Sequence, residues 1–249
     1  MTIADKLTII KNSVQNIKDV LANKGVTYGD ITTLATAIDN MQTSSGTLPS
    51  GYTQLQYLQK TTTDTSYIDL LYKATGNTKI ELDFAATSWT NNTQGLIGYD
   101  TGTTLTSFAI YLWKEATTDT NKVCSAGVIA SSLSTPEFVQ IQLNQPHTYS
   151  LGGGSFKVND STIYTYVPSE GTTPGNLFVF RVNSSNSYYA QAASCVSGKI
   201  YGLKIYESDE LVRHFIPAQR KDTLANGLYD TVTGYFLTPS LASSFKGVV

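Results

Sequence analysis

KIELDF, residues 79–84, sets Ile80, Leu82 and Phe84 on one side of an extended chain and Glu81 and Asp83 on the other. That period-two alternation belongs to a strand with one buried and one solvated face. Working outward, VQIQL (139–143) repeats the pattern, and further short runs with strand character occur at 107–113, 162–167, 177–182, 199–206 and 211–216. Turn chemistry separates them: Asn159 and Asp160 before Ser161, Pro174 and Gly175 before Asn176, and the charged step from Glu207 to Glu210. No helical periodicity interrupts this region. Many short strands at such spacing predict a mainly β fold, a sandwich or jelly roll, over residues 47–249.

Upstream the period changes. Ile3, Leu7, Ile10, Val14, Ile17 and Leu21 recur at alternating steps of four and three, which places them on one stripe of a helix. Asn23, Lys24 and Gly25 stop it, and Asp30 caps a second short helix with a stripe of Ile31, Leu34, Ile38 and Met41. About 40 residues without metal or disulfide rarely hold a core of their own, so the stripe is expected to have outside partners. Isoleucine at one heptad core position, alternating with Leu and Val at the other, disfavours a parallel dimer; a homotrimer is the first expectation, with packing against the β domain or a different protein as the alternatives. QTSSGTLPS (42–50) then reads as a linker. The chain thus divides into an attachment and oligomerisation segment with its linker, 1–46, and a β domain, 47–249.

Composition narrows the function. Net charge is −2, from 17 Lys and Arg against 19 Asp and Glu, which gives no electrostatic handle for nucleic acid or an anionic membrane surface. The opening MTIADKLTIIKNSV is amphipathic and lacks the apolar core of a signal peptide, and no later run could insert into a membrane as a helix. Synthesis in a cytoplasm and, if the protein ends outside a cell, release by lysis inside an assembled particle fit these features. Cys124 and Cys195 are the only cysteines and are expected to be buried thiols, with a single bridge as the alternative.

Two blocks carry a family resemblance. LPSGYTQLQYLQ (48–59), followed by TSYIDL (65–70), resembles the opening of laminin-G-like, concanavalin-A-type modules in phage and prophage proteins. GKIYGLKIYESDELVRHFIPAQR (198–220) and GLYDTVTGYF (227–236) resemble their close, a hairpin with a charged turn and a final Leu-Tyr-Asp strand. His214 stands where that pattern has an acidic residue, and TDTSYI replaces a glycine-containing turn. The leader, ending NKGVTYGDITTLATAI, is similar to N-terminal segments of phage head and tail appendage proteins. The resemblance implies a concanavalin-A-like β-sandwich (jelly roll) preceded by a short N-terminal helical segment. It also implies a virion structural protein (head fiber, tail fiber or baseplate appendage) bound to other virion proteins through Ile3, Leu7, Ile10, Val14, Ile17, Leu21, Ile31, Leu34 and Ile38.

Catalytic chemistry is sparse. Glycosidases of concanavalin type set several carboxylates along one strand face. Glu81 and Asp83 begin such a row, but Ala85 and Ala86 follow, so the chain is expected not to be an enzyme. His147 and His214 are the only histidines and sit in strand contexts, where structural roles are expected. Gly152 to Gly154 lacks a following Lys-Ser or Lys-Thr and reads as a turn rather than a phosphate loop. No cofactor is implied. Calcium would need clustered loop oxygens, for which Asp100, Asp119 and Asn121 are the weak candidates. The supply of 16 Tyr, 9 Phe and 2 Trp favours stacking on sugar faces, with Trp89, Tyr99, Tyr111, Trp113, Tyr188 and Tyr189 as glycan-binding candidates and cell-surface glycans as the ligand class. A ligand-free capsid decoration module and a polysaccharide-degrading enzyme are the alternatives.

Overall fold

The structure is a computed structural model. The chain divides into two compact units, Met1–Thr47 and Leu48–Val249. The structure describes residues 48–249 except 63, 89–93, 102–105, 115–120, 128–129, 134–138 and 185–195, and it describes the backbone alone at 113–114, 121–127 and 130–133. The two leader helices, their stripe and the trimer expectation lie outside the described residues.

The second unit is a mainly β sandwich. Among the described residues one sheet has twelve strands and the other seven, with no α-helix and one 3-10 turn at Ala242–Ser244. The centre of the larger sheet is built from Thr78–Ser88, flanked by His147–Gly152 on one side and Ser197–Glu207 on the other, with Glu210–Arg220 and Asn226–Asp230 beyond. The smaller sheet centres on Gln94–Asp100 and Phe108–Lys114. Ile80, Leu82 and Phe84 are fully buried and form one core with Leu96, Ile97, Phe108, Ile110 and Leu112 of the facing sheet. Glu81 is half-buried and Asp83 exposed, as the alternation in KIELDF requires.

Local chemistry explains the connections. Asn159 and Asp160 have φ of 50° and 64°, and Ser208 and Asp209 have 50° and 66°. Two consecutive positive φ values make the tight turn whose twist matches a hairpin, and they join Ser155–Val158 to Ser161–Pro168 and Ser197–Glu207 to Glu210–Arg220. Gly152 to Gly154 is likewise a turn, all three glycines at positive φ. Pro217 sits inside Glu210–Arg220 without breaking it. Phe215 still pairs with Leu203 and Ala218 already pairs with Gln54, so Pro217 falls where the strand changes partner and no ladder N–H is demanded on that side. Gly198 meets a steric demand: a Cβ there would lie 2.2 Å from Cζ of Phe84.

Two expected strands are shorter than the sequence indicates. The run at 177–182 is extended only at Phe178–Val179, because Phe180 turns to φ 67° and the chain re-enters the sheet at Asn183–Ser184, parallel to Gln94–Asp100. The run at 139–143 is paired only at Val139–Gln140 and leaves the sheet before Asn144, at φ 63°.

A polar clip secures one margin of the sandwich. Lys60 is fully buried, and its ammonium donates to the carbonyls of Asp64 (2.6 Å) and Ser66 (2.8 Å) beside the Asp64 carboxylate (3.5 Å). That carboxylate accepts from the Ser66 amide, from the hydroxyls of Ser66 and Thr62, and from the Ser244 hydroxyl far along the chain. A buried ammonium is tolerated only when so fully partnered. The clip joins residues 60–66 to the turn that leads into the last strand, Phe245–Val248.

Candidate functional site

The solvated face of the larger sheet carries a groove of about 180 Å³. Its floor and walls come from four adjacent strands in register. Asp83 lies opposite Thr148 on one side and Gly202 on the other, while Glu81 lies opposite Ser150 and Lys204, and Lys204 opposite His214. Alternation therefore delivers Glu81, Asp83, Thr148, Gly202, Lys204 and His214 to one surface. The ladder shifts between Ile200 and Gly202. This bulge brings Tyr201 to the groove beside Gly202. A Cβ at Gly202 would meet no heavy atom nearer than 3.9 Å, so the glycine leaves a notch in the floor. Ile216, part of a small apolar cluster with Ala218 and Tyr229, lines the opposite side.

The two carboxylates differ. Both oxygens of Glu81 are taken up, one by the Lys79 ammonium at 2.7 Å and the other by the Tyr206 hydroxyl at 3.1 Å. Burial pushes the Glu81 carboxyl up, but the Lys79 and Tyr206 contacts outweigh it and hold the group below the usual range. The Tyr206 hydroxyl is pushed up to about 12 by burial and by the neighbouring carboxylate. Asp83 accepts from the Thr148 hydroxyl at 2.7 Å through Oδ1, and Oδ2 has no hydrogen-bond partner among the described residues. Lys204 makes no ion pair with a described residue. Nδ1 of His214 is buried and also without a partner among them. Burial and the nearby Lys204 lower the His214 pKa, against a smaller upward pull from Asp230.

Aromatic contacts extend the groove. Tyr201 meets Tyr57 edge-on, ring centroids 5.6 Å apart, and the Lys199 ammonium stands 4.6 Å from the Tyr57 ring. Behind His214 the buried Asp230 accepts from the His214 amide (3.0 Å), the Val232 amide (3.1 Å) and the Thr233 hydroxyl (2.5 Å), beside Arg213 at 3.4 Å. The Leu-Tyr-Asp motif is therefore a structural anchor for the strand that presents His214.

The residues singled out in the sequence lie elsewhere. Tyr99 and Tyr111 are 7% and 2% exposed, so neither offers a ring face on a rim. The Tyr111 hydroxyl donates to Asp100 at 2.7 Å, and Ser107 donates to the same carboxylate at 2.6 Å, which places Asp100 in a buried network rather than on a loop surface. Trp113, Asn121 and Cys124 lie on strands whose side chains are not described, and Trp89, Asp119, Tyr188, Tyr189 and Cys195 lie outside the described residues. No group of three His, Cys, Asp or Glu side chains among the described residues is placed to hold a metal ion. His147 is held between the Gln142 amide and the Asn159 side chain. Ala85, the next outward position after Asp83, is fully buried.

Sequence reasoning missed Tyr201, Gly202 and Lys204. A signal was present: the buried positions Ile200, Leu203 and Ile205 are spaced three and then two apart, which marks a bulge at the residues between the first pair.

No family model and no curated protein matches the chain. Among solved structures it is similar to a candidate carbohydrate binding protein from Bacteroides ovatus, at 10% identity and a TM-score of 0.52, over 79% of this chain. The chain spans 61% of that protein's length, less than two thirds. It is also similar to the heptameric SAP-like pentraxin of Limulus polyphemus, at 11% identity and TM-score 0.36, over 67% of this chain and 74% of that one. A third is carbohydrate binding module CBM66 of Bacillus subtilis, at 13% identity and TM-score 0.31, over 60% of this chain and 91% of that one. The last two scores are too low to carry an argument; the first shows a shared β-sandwich fold.

Proposed function

We propose that the β domain is a laminin-G-like, concanavalin-A-type jelly roll that binds carbohydrate in the groove over Gly202. The observation that carries this reading is the groove itself. Acceptor and donor groups open to a ligand converge on a notch beside a tyrosine ring, the mix of polar contacts and stacking by which proteins hold sugars. The fold shared with a candidate carbohydrate binding protein supports the same reading. Binding here is without catalysis. A glycosidase needs a proton-donating carboxylic acid paired with a second carboxylate, and Glu81 is held ionised by Lys79 and Tyr206. Binding uses no metal, so EDTA leaves it unchanged.

The chain acts as a phage virion appendage, a head fiber, tail or baseplate component. Its leader anchors it to other virion proteins as a homotrimer and its sandwich faces outward. Repetition over a particle converts weak sugar contacts into avidity. A glycan array probed with the full chain tests the ligand class: hits that vanish in Gly202→Val support it, and a blank array favours ligand-free decoration. Light scattering tests the anchor: the full chain has trimeric mass and Leu7→Glu with Ile10→Glu reduces it to monomer, whereas a monomeric parent chain contradicts the trimer.

A further inference from the structure

Resting on the assignment of the groove to carbohydrate, we infer that it selects an uncharged pyranose through a vicinal diol held between Asp83 and Lys204, and that Gly202 is the residue that admits the ring. Charge decides the class. Glu81 is matched by Lys79 at 2.7 Å and faces Lys204 across the ladder, and the charged groups that remain on the groove, Asp83 and Lys204, are one of each sign. His214 adds no charge in its neutral form. A uronate that paired with Lys204 would also bring its carboxylate toward Glu81 and Asp83, and an unacetylated amino sugar that paired with Asp83 would also bring its ammonium toward Lys204. A neutral ring meets neither penalty.

Hydrogen-bond inventory decides the contact. A carboxylate only accepts and an ammonium only donates. Neighbouring hydroxyls satisfy both, one donating to the open Oδ2 of Asp83 and the next accepting from Lys204. Thr148 fixes the other oxygen of Asp83 at 2.7 Å and so aims the open one. The missing side chain at Gly202, directly opposite Asp83 in the ladder, leaves the space the ring needs, and Tyr201 flanks it with its own orientation set by Tyr57. Gly202 is not in the left-handed region, so a β-branched residue can be placed there to fill the notch without backbone strain.

The test is affinity gel electrophoresis of the full chain against dextran and galactomannan as neutral probes, polygalacturonate as an anionic probe and chitosan as a cationic one. At least one neutral polymer retards the parent chain and the charged ones do not. Gly202→Val and Asp83→Asn each weaken that retardation at least tenfold while thermal unfolding stays within a few degrees of the parent. Should Gly202→Val fail to fold, Asp83→Asn and Lys204→Met are read in its place. Retardation by a charged polymer that Gly202→Val abolishes overturns the neutral-diol inference and leaves the groove as the sugar site. Retardation indifferent to Gly202→Val, Asp83→Asn and Lys204→Met, or none with any polymer, overturns both.

Discussion

Two polar clusters in one sandwich serve opposite ends. Around Lys60 the ammonium is enclosed and both oxygens of the half-buried Asp64 carboxylate are bonded, and the partners come from both ends of the domain, Asp64 and Ser66 near its start and Ser244 near its close. Around Gly202 the groups are as polar, yet Asp83 is exposed with Oδ2 unbonded, the half-buried Lys204 makes no ion pair and His214 Nδ1 has no partner, all among the described residues. Taken-up polar atoms hold a fold together; open ones, gathered in register on one face, address something outside it. Asp100 with Tyr111 and Ser107, and Asp230 with His214, Val232 and Thr233, belong to the first kind.

The sharpest way to break this contrast is to delete one member of each kind. Asp64→Ala leaves a buried ammonium short of its counter-charge, and because the Asp64 side chain is 35% exposed and solvent screens the pair, chemical denaturation at neutral pH should show a loss of about 1–2 kcal/mol. Burial pushes the Asp64 carboxyl up, but the hydrogen bonds from Ser244, Ser66 and Thr62 outweigh that and hold it well below its ordinary value. Its contribution is therefore present above the ordinary carboxylate range and is lost as pH falls through the lowered value, so the gap between parent and Asp64→Ala narrows on acidification. A constant gap down to strong acid would remove the clip from the account.

Gly198→Ala comes next. The added methyl meets the Phe84 ring and the Ala85 carbonyl, and overpacking of this kind costs about 1–3 kcal/mol. Gly202→Val, four residues along the same strand, should change stability by less than about 1 kcal/mol, since its Cβ meets only the Phe215 carbonyl oxygen at an ordinary contact distance of 3.9 Å. Equal losses at the two glycines would mean that the notch is not open. Asp83→Asn and Lys204→Met should each stay within about 0.5 kcal/mol of the parent in stability while reducing sugar binding. A large loss of stability in either would move that residue into the structural class.

The smallest effect concerns His214. Its folded pKa is lowered by burial and by Lys204, which faces it across the ladder, against Asp230 behind it; Arg213 adjoins it and Glu81 and Asp83 share the groove. A lowered histidine pKa means that the unfolded chain takes up a proton which the folded chain refuses. The stability His214 confers is complete above its ordinary value near 6.5 and declines as pH falls from there toward the folded value. His214→Asn should flatten the pH dependence of unfolding in that window. An unchanged profile would show that another group sets it.

Much of the frame was legible. KIELDF alternates as it reads, and the Asn159-Asp160 and Ser208-Asp209 turns carry the positive φ their composition implies. Gln94–Asp100 was not legible, because every residue in it is buried and a strand enclosed on both faces has no period of two. The groove was half legible. Glu81 and Asp83 were visible as a polar face and were weighed as a solvated strand or as catalytic groups, never as ligand contacts, and His214 only as structural. Their meeting with Lys204 depends on strand order and register, which bring together residues more than a hundred positions apart. Tyr99 and Tyr111 misled for the converse reason: an aromatic on a strand carries no mark of which layer will cover it.

The central claim is a location. Amide chemical shifts of the isotopically labelled full chain, followed during titration with a dextran oligosaccharide and with a galactomannan oligosaccharide, test it most directly. The account predicts that perturbations gather at Asp83, Thr148, Tyr201, Gly202, Lys204 and His214 and leave Lys60, Asp64 and Ser244 unmoved. Perturbations centred on the loops at the sandwich ends or on the smaller sheet, with the Gly202 groove silent, would contradict it.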